Sequence, residues 1–340
     1  TNPIWIEGPH IFKREGWYYL NCAEGGTGPQ HSQVILRSRT VWGPYLPYEN
    51  NPILTQRDLP DDRPHPITNA GHADLVEGLD GRWWATFLAS RNYGQTHYNT
   101  GRETFLLPVE WKEGWPVILE PEREIPYVAA GPTFMDQSGT QSPYSGNFTW
   151  RDEFDTQKLD NAWMFVRVPK HAWADLNRRP GQLAITPLPE GLDSLRNPAF
   201  LARRQQHTTF EASTALHLPV EAGTEAGMAA FQNETHWYFL GVRQAKQGVQ
   251  ELFLERSSRF GRRIVATAMV PDTGILKLKI TGDAGDYSFG FDSGKGWQWL
   301  KAHEDGTVLS TDVAEGFIGV VLGPHARIRE DKGEDNHAVQ

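Results

Sequence analysis

The chain has 340 residues, with 33 Lys and Arg against 42 Asp and Glu for a net charge of −9, and it holds 33 Gly, 23 Pro, 13 Trp and 16 Phe. The acidic balance offers no basic face to a phosphate backbone, which argues against a nucleic-acid partner, and no apolar run approaches the roughly 18 residues of a membrane span. The single cysteine, Cys22, excludes an intramolecular disulfide and any cysteine-based zinc site.

Length alone suggests two domains, because one core rarely grows past roughly 250–300 residues. The aromatic, Gly- and Pro-rich composition suits many short strands joined by tight turns. Ile4–Phe12 is a β-prone run with Glu7 inside it. From these residues alone Glu7 reads as a surface carboxylate at a strand end or, if it points inward, as an acid whose desolvation raises its pKa. Lys13–Gly16 is a turn signal, Trp17–Leu20 a second strand, and Ala23–Gly28 a Gly-rich loop. There Gly25, Gly26 and Gly28 read as positions of positive φ rather than contact points. Val34–Ser38 is a further strand, and Trp42–Tyr45 and Asn51–Leu54 mark turns. Asp58, Asp61 and Asp62 sit in a Pro-rich stretch that reads as a solvated loop.

At Gly71 the opening pattern returns. Gly71-His72-Ala73-Asp74, a turn at Gly81 and the strand Trp83–Phe87 repeat the Gly8–Tyr19 sequence after an offset of roughly 60 residues, the length of one propeller blade with long loops. About two blades are visible, and a closed ring needs at least four. Residues 1–130 therefore read as propeller blades and 131–147 as a linker. Residues 148–326 read as an antiparallel β-sandwich, with strands expected near Thr208–Leu216, Trp237–Val242, Glu251–Glu255, Ile275–Ile280, Tyr287–Phe291 and Phe317–Leu322. Residues 327–340 read as a charged, frayed tail.

Several motifs together resemble one family. Ile6-Glu7-Gly8-Pro9-His10, Ala23–Gly28, His31-Ser32 with Arg37-Ser38, Gly71–Asp74 and Gly101-Arg102-Glu103-Thr104 are similar to the latter part of the catalytic domain of glycoside hydrolase family 43, the β-xylosidase and α-L-arabinofuranosidase family with a five-bladed propeller. Asp152-Glu153-Phe154, Leu159-Asp160, Trp163, Arg179-Pro180-Gly181 and Leu201–Gln205 resemble the concanavalin-like sandwich that accompanies one branch of it. The resemblance implies an all-β chain: part of a five-bladed β-propeller followed by an antiparallel β-sandwich. It implies an inverting glycosidase that releases xylose or arabinose from xylo-oligosaccharides or arabinoxylan, with Glu7 as general acid. His72 would face the central pocket, Arg102 would bind sugar hydroxyls and neighbouring carboxylates, and Thr27 and His31 would line the sugar site. Against these stand a core histidine for His72, an ion pair with Glu103 or Glu110 for Arg102, and a structural partner for Asp74, whose side chain shares the direction of His72 in a regular strand.

No cofactor is implied beyond a Ca²⁺ that parts of the family hold through water near His72, and no cluster of oxygen ligands here predicts one. The pattern departs from the family in one respect: the catalytic base and the Asp that tunes the acid come from the first blades, and no motif in residues 1–125 matches either. The chain begins at Thr1 and lacks the aromatic-acidic strand that usually closes the sandwich. The expectation is a truncated or processed chain that needs an N-terminal segment of the same enzyme as a second chain, with a homo-oligomer as a further option. The competing readings are a non-catalytic carbohydrate-binding protein, whose sandwich and Trp-rich blades stack on sugar rings, and a propeller that binds a protein. The sequons at Asn147 and Asn233 fix no compartment.

Overall fold

The computed structural model describes residues 4–132, 146–218, 220–245, 249–272 and 274–329. The chain divides into two compact units, Thr1–Gly146 and Asn147–Gln340. Most of the expected linker, residues 133–145, lies outside the described residues.

The first unit holds two antiparallel sheets. One runs β1 (Glu7–Arg14), β2 (Trp17–Glu24), β3 (Ser32–Ser38) and β4 (Leu46–Pro47), with β5 (Leu54–Thr55) also on β3; the other runs β6 (Ile67–Glu77), β7 (Trp83–Arg91), β8 (Glu103–Lys112) and β9 (Trp115–Val117). Two hairpins are set by the same dipeptide. Glu15-Gly16 joins β1 to β2 and Glu113-Gly114 joins β8 to β9, and all four residues have positive φ. Two successive left-handed residues match the twist of the flanking strands, and glycine carries the second position without steric cost. The sheets share a core in which Tyr19 and Ile35 meet Ala85, Phe87, Leu107 and Val109.

The second unit is a sandwich. Its larger sheet has the order β10 (Met164–Phe165), β13 (Ala199–Arg204), β22 (Val321–Ile328), β15 (Thr224–Asn233), β16 (His236–Gln244), β17 (Gln250–Ser258) and β18 (Gly261–Val270). Its smaller sheet has β14 (Thr209–His217), β19 (Ile275–Asp283), β20 (Asp286–Asp292) and β21 (Gln298–Asp305), and a short ribbon pairs β11 (Ala174–Asp175) with β12 (Ala184–Ile185). The only α-helix among the described residues is the single turn α1 (Thr311–Ala314), so none is long enough to cross a membrane.

The larger sheet is buried on both faces. Tyr238, Leu240, Leu252 and Leu254 face Leu278, Ile280, Tyr287 and Phe289, while Phe200, Trp237, Phe239 and Phe253 pack on the other side with Leu192. Each such side chain contributes roughly 1.5–3 kcal/mol when fully buried, so this sheet is the most heavily stabilised layer of the chain.

Two expectations at the C-terminal end shift. The final strand starts at Val321, with Phe317 and Ile318 exposed before it. It also runs through Arg327, which is buried and paired with Glu225 and Glu255 and so belongs to the sandwich instead of opening a tail. Residues 330–340 lie outside the described residues.

Candidate active site

Irregular backbone in β1 and β6 makes the site. Pairing of β1 with β2 slips between Glu7 and His10, where Gly8 has φ +57. Pairing of β6 with β7 slips twice, around Gly71, and both Asn69 and His72 take positive φ. Such bulges re-aim side chains and concentrate at functional sites. His72 is thereby turned outward between the buried Gly71 and Ala73.

The bulge at His72 is held by side chains from the other sheet. Gln33 Nε2 donates to Asn21 Oδ1 (2.8 Å), Asn21 Nδ2 donates to the Ala73 carbonyl (2.6 Å), and Ala73 N–H donates to Gln33 Oε1 (2.8 Å). Asn21 and Gln33 are fully buried, so both main-chain polar groups of Ala73, freed from the ladder, are satisfied inside the protein.

Three titratable groups converge. The ligand atoms of Glu7, His31 and His72 all lie within 4.8 Å of one another. Glu7 Oε1 is 3.7 Å from His72 Nδ1, and the two imidazoles meet edge to face with centroids 6.5 Å apart. Each histidine sits on a glycine of the opposite sheet. A Cβ on Gly8 would stand 2.5 Å from His72 Nε2, and one on Gly71 would stand 2.7 Å from His31 Nε2. A side chain at either position would have to displace the ring above it.

His31 is buried, and its Nδ1–H donates to the Asn69 carbonyl at 2.9 Å. Because that partner only accepts, the proton resides on Nδ1 and Nε2 presents a lone pair. Among the described residues that buried Nε2 has no hydrogen-bond partner. Burial holds the His31 pKa below the usual range, and the charges of His72 and Arg102 push the same way against the Asn69 carbonyl and Glu7. At neutral pH His31 is an uncharged acceptor.

The expected residues are distributed as follows. Glu7, His31 and His72 come together, and Arg102 lies close enough for its charge to act on His31. Of the carboxylates nearby in sequence, Glu103 takes Arg91 in a bidentate pair at 2.7 and 2.8 Å, and Glu110 pairs with Lys112. Thr27 is half-buried in the Gly25–Gln30 loop. Asp74 is exposed, as His72 is, with the buried Ala73 between them, and it pairs with His10. Glu7 keeps 49% of its side-chain surface open, beside 41% for His72. Gly25 and Gly26 have positive φ, whereas Gly28 does not; Gly26 is in addition a contact point, with the Trp5 indole lying where its Cβ would be. Asp58, Asp61 and Asp62 are exposed, as expected of a solvated loop.

The donor set does not fit Ca²⁺. That ion takes six to eight oxygen ligands, and here two imidazole nitrogens accompany one carboxylate. The missed residues are Asn21 and Gln33. Their signal was present as polar residues at inward positions of otherwise apolar strands.

Comparison with known proteins bears on both units. Residues 1–116 match the family described as Glycosyl hydrolases family 43, and residues 151–339 match the Beta xylosidase C-terminal Concanavalin A-like domain. The chain is 32% identical, over 94% of its length, to a non-reducing end alpha-L-arabinofuranosidase of Bacteroides ovatus, and 35% identical over 71% to a xylosidase/arabinosidase of Butyrivibrio fibrisolvens. It spans 59% and 46% of those two relatives. The crystal structure of the GH43 BlXynB protein from Bacillus licheniformis superposes with a TM-score of 0.85 at 30% identity, covering 98% of this chain and 63% of that one.

Proposed function

Because the chain belongs to glycosyl hydrolase family 43, we propose that it carries the proton-donating half of an inverting glycosidase that releases xylose or arabinose from xylo-oligosaccharides or arabinoxylan. The observation that supports this is the convergence of Glu7 with His31 and His72. In this reading the protonated Glu7 carboxyl gives its proton to the glycosidic oxygen as the bond from that oxygen to the anomeric carbon breaks. His31, neutral and with its Nε2 lone pair free, accepts a sugar hydroxyl, and Arg102 supplies a fixed cation beside it. His72 braces the Glu7 carboxyl from 3.7 Å.

Inversion also needs a carboxylate about 6.5–9.5 Å across the bond to take a proton from the attacking water. We assign it to a further segment of the same enzyme, in keeping with relatives of which this chain spans less than two thirds. Glu7→Gln in the complete enzyme tests the assignment. Hydrolysis of substrates with poor leaving groups should fall by about 10²–10⁴, while activated aryl glycosides, which need little protonation, lose far less. Equal losses on both substrate types would make Glu7 structural, and unchanged hydrolysis would rule it out as the general acid.

A second reading has one observation in its favour. Two histidines and one glutamate within 4.8 Å suit an ion of the Zn²⁺ class. The two readings exclude each other, because a metal-bound Glu7 carboxylate cannot also hold the proton it must donate.

A further inference from the structure

The smaller sheet of the sandwich has an inner face that supplies half of the core and an outer face that nothing in its own unit needs. On β20, Phe289 and Phe291 point into the core, so Gly290 and Ser288 point outward. Gly290 pairs with Lys279 on one side and Trp299 on the other, which puts all three in one row across the outer face. The six-membered ring of Trp299 fills the space above Gly290, with Cε3 3.0 Å from where a Cβ would be. Trp297, two residues earlier, emerges on the same face, and Lys279 Nζ stands 4.1 Å from its ring centroid. Lys279 is fixed in turn by Glu211, at 3.0 Å. Both indoles remain open, 45% exposed for Trp297 and 54% for Trp299.

We propose that this face is a second carbohydrate site, separate from the Glu7 cluster, that takes a neutral chain of β-linked pyranose units. Two features choose the occupant. Trp299 stands on β21 and Trp297 just before it, and the two are held in place by glycine and lysine neighbours, so they offer preset apolar surfaces at low entropic cost. Around them stand an amine, a carboxylate and a hydroxyl, from Lys279, Glu211 and Ser288. The centre of a protein–protein contact is depleted in those residue types, whereas a sugar ring presents an apolar face with hydroxyls at its rim and uses both kinds of group. The choice of a xylan-type chain as ligand rests on the family reading, but the site itself does not use Glu7.

The test is affinity electrophoresis of the full chain in gels containing soluble xylan, with cellulose-derived and starch-derived polymers as parallel arms. The parent should be retarded by xylan, and Trp297→Ala/Trp299→Ala should lose about tenfold or more in affinity. Trp297→Tyr/Trp299→Tyr, which keeps aromatic faces, should recover part of it and guards against a folding defect. Hydrolysis of a small aryl glycoside by the complete enzyme should be the same in parent and double variant. Loss of that hydrolysis in Glu7→Gln alone would concern the other site and leave this one standing. Absence of retardation on every polymer, equal retardation of the Ala double variant, or a change of oligomeric state in that variant would each overturn the proposal, the last by making the face a contact between copies.

Discussion

Two histidines, one in each unit, are held in nearly the same way, and only one belongs to a site. His31 donates Nδ1–H to the Asn69 carbonyl, and His325 donates Nδ1–H to the Ala199 carbonyl at 3.0 Å. Both are buried, both present an Nε2 without a hydrogen-bond partner among the described residues, and both have a lowered pKa, that of His325 down to about 3. The difference lies in what surrounds the free nitrogen. Around His325 are the rings of Phe200 and Phe239 and the charge of Arg327, whose own charge is consumed by Glu225 and Glu255. Around His31 are Glu7 and His72, both open to solvent. A buried, neutral imidazole is therefore a structural motif by default, and it becomes chemistry only where other titratable groups meet it at a surface.

The largest break in this comparison should come from the sandwich. Arg327 bridges two buried carboxylates, and Arg327→Met removes the shared cation, leaving Glu225 with Arg243 and Glu255 with Arg262; we expect about 3 kcal/mol of lost stability in urea unfolding, with hydrolysis per folded molecule of the complete enzyme unchanged. In the first unit, Gln33→Leu removes the hydrogen bonds that hold Ala73 beside His72 and leaves the Ala73 N–H and Asn21 Oδ1 without partners. Stability should fall by about 2–3 kcal/mol, and here activity should fall with it. Unchanged activity would mean that the bulge keeps His72 in place without the clamp.

Acid sharpens the contrast further. An unfolded histidine takes up its proton near pH 6.5, while folded His325 does so only near pH 3. The unfolded chain thus binds more protons between those values, and stability present above pH 6.5 is lost as the pH falls toward 3. For His325 the loss between pH 7 and pH 5 is about 2 kcal/mol, and His325→Phe should remove that increment from the pH dependence. His31→Phe should flatten the curve in the same direction but also remove the Nε2 acceptor beside Glu7 and His72. The smallest expected effect is that of a chelator. EDTA should leave hydrolysis by the complete enzyme unchanged, and inactivation reversed by Zn²⁺ would favour the metal reading of the cluster.

Much of this was legible in the sequence, for identifiable reasons. The Lys13–Gly16 turn, the return of the Gly8 pattern at Gly71 and the alternation in β14, β19 and β20 are local signals, and local signals survive without the fold. β15 and β18 were missed because Ala, Gly and Arg at successive positions blur the period of two, and β15, in the middle of a sheet buried on both faces, has no polar side to alternate with. Arg327 looked like the start of a charged tail because its partners are Glu225 and Glu255, far away in sequence. The bulge around Gly71 and His72 left no local signal, because the clamp that holds it uses Asn21 and Gln33 in another sheet. Long-range polar contacts leave the weakest trace in a sequence read residue by residue.

The crossed seating of Gly8 under His72 and of Gly71 under His31 has a consequence for how this protein can change. Each glycine is constrained by a histidine in the other sheet, so the order of substitutions matters. Gly8→Ala must displace the His72 ring, and its φ of +57 strains a side chain there even once His72 has been shortened; Gly71 stands over the buried His31 ring without that backbone strain. The four positions are thus coupled in two unequal pairs, because shortening the histidine relieves the whole cost of a methyl at Gly71 and only its steric part at Gly8. A change at either glycine should be costlier alone than beside a shortened histidine. A combinatorial library over the four positions should enrich folded Gly71→Ala variants where His31 has also been replaced by a small residue, and folded Gly8→Ala variants less so.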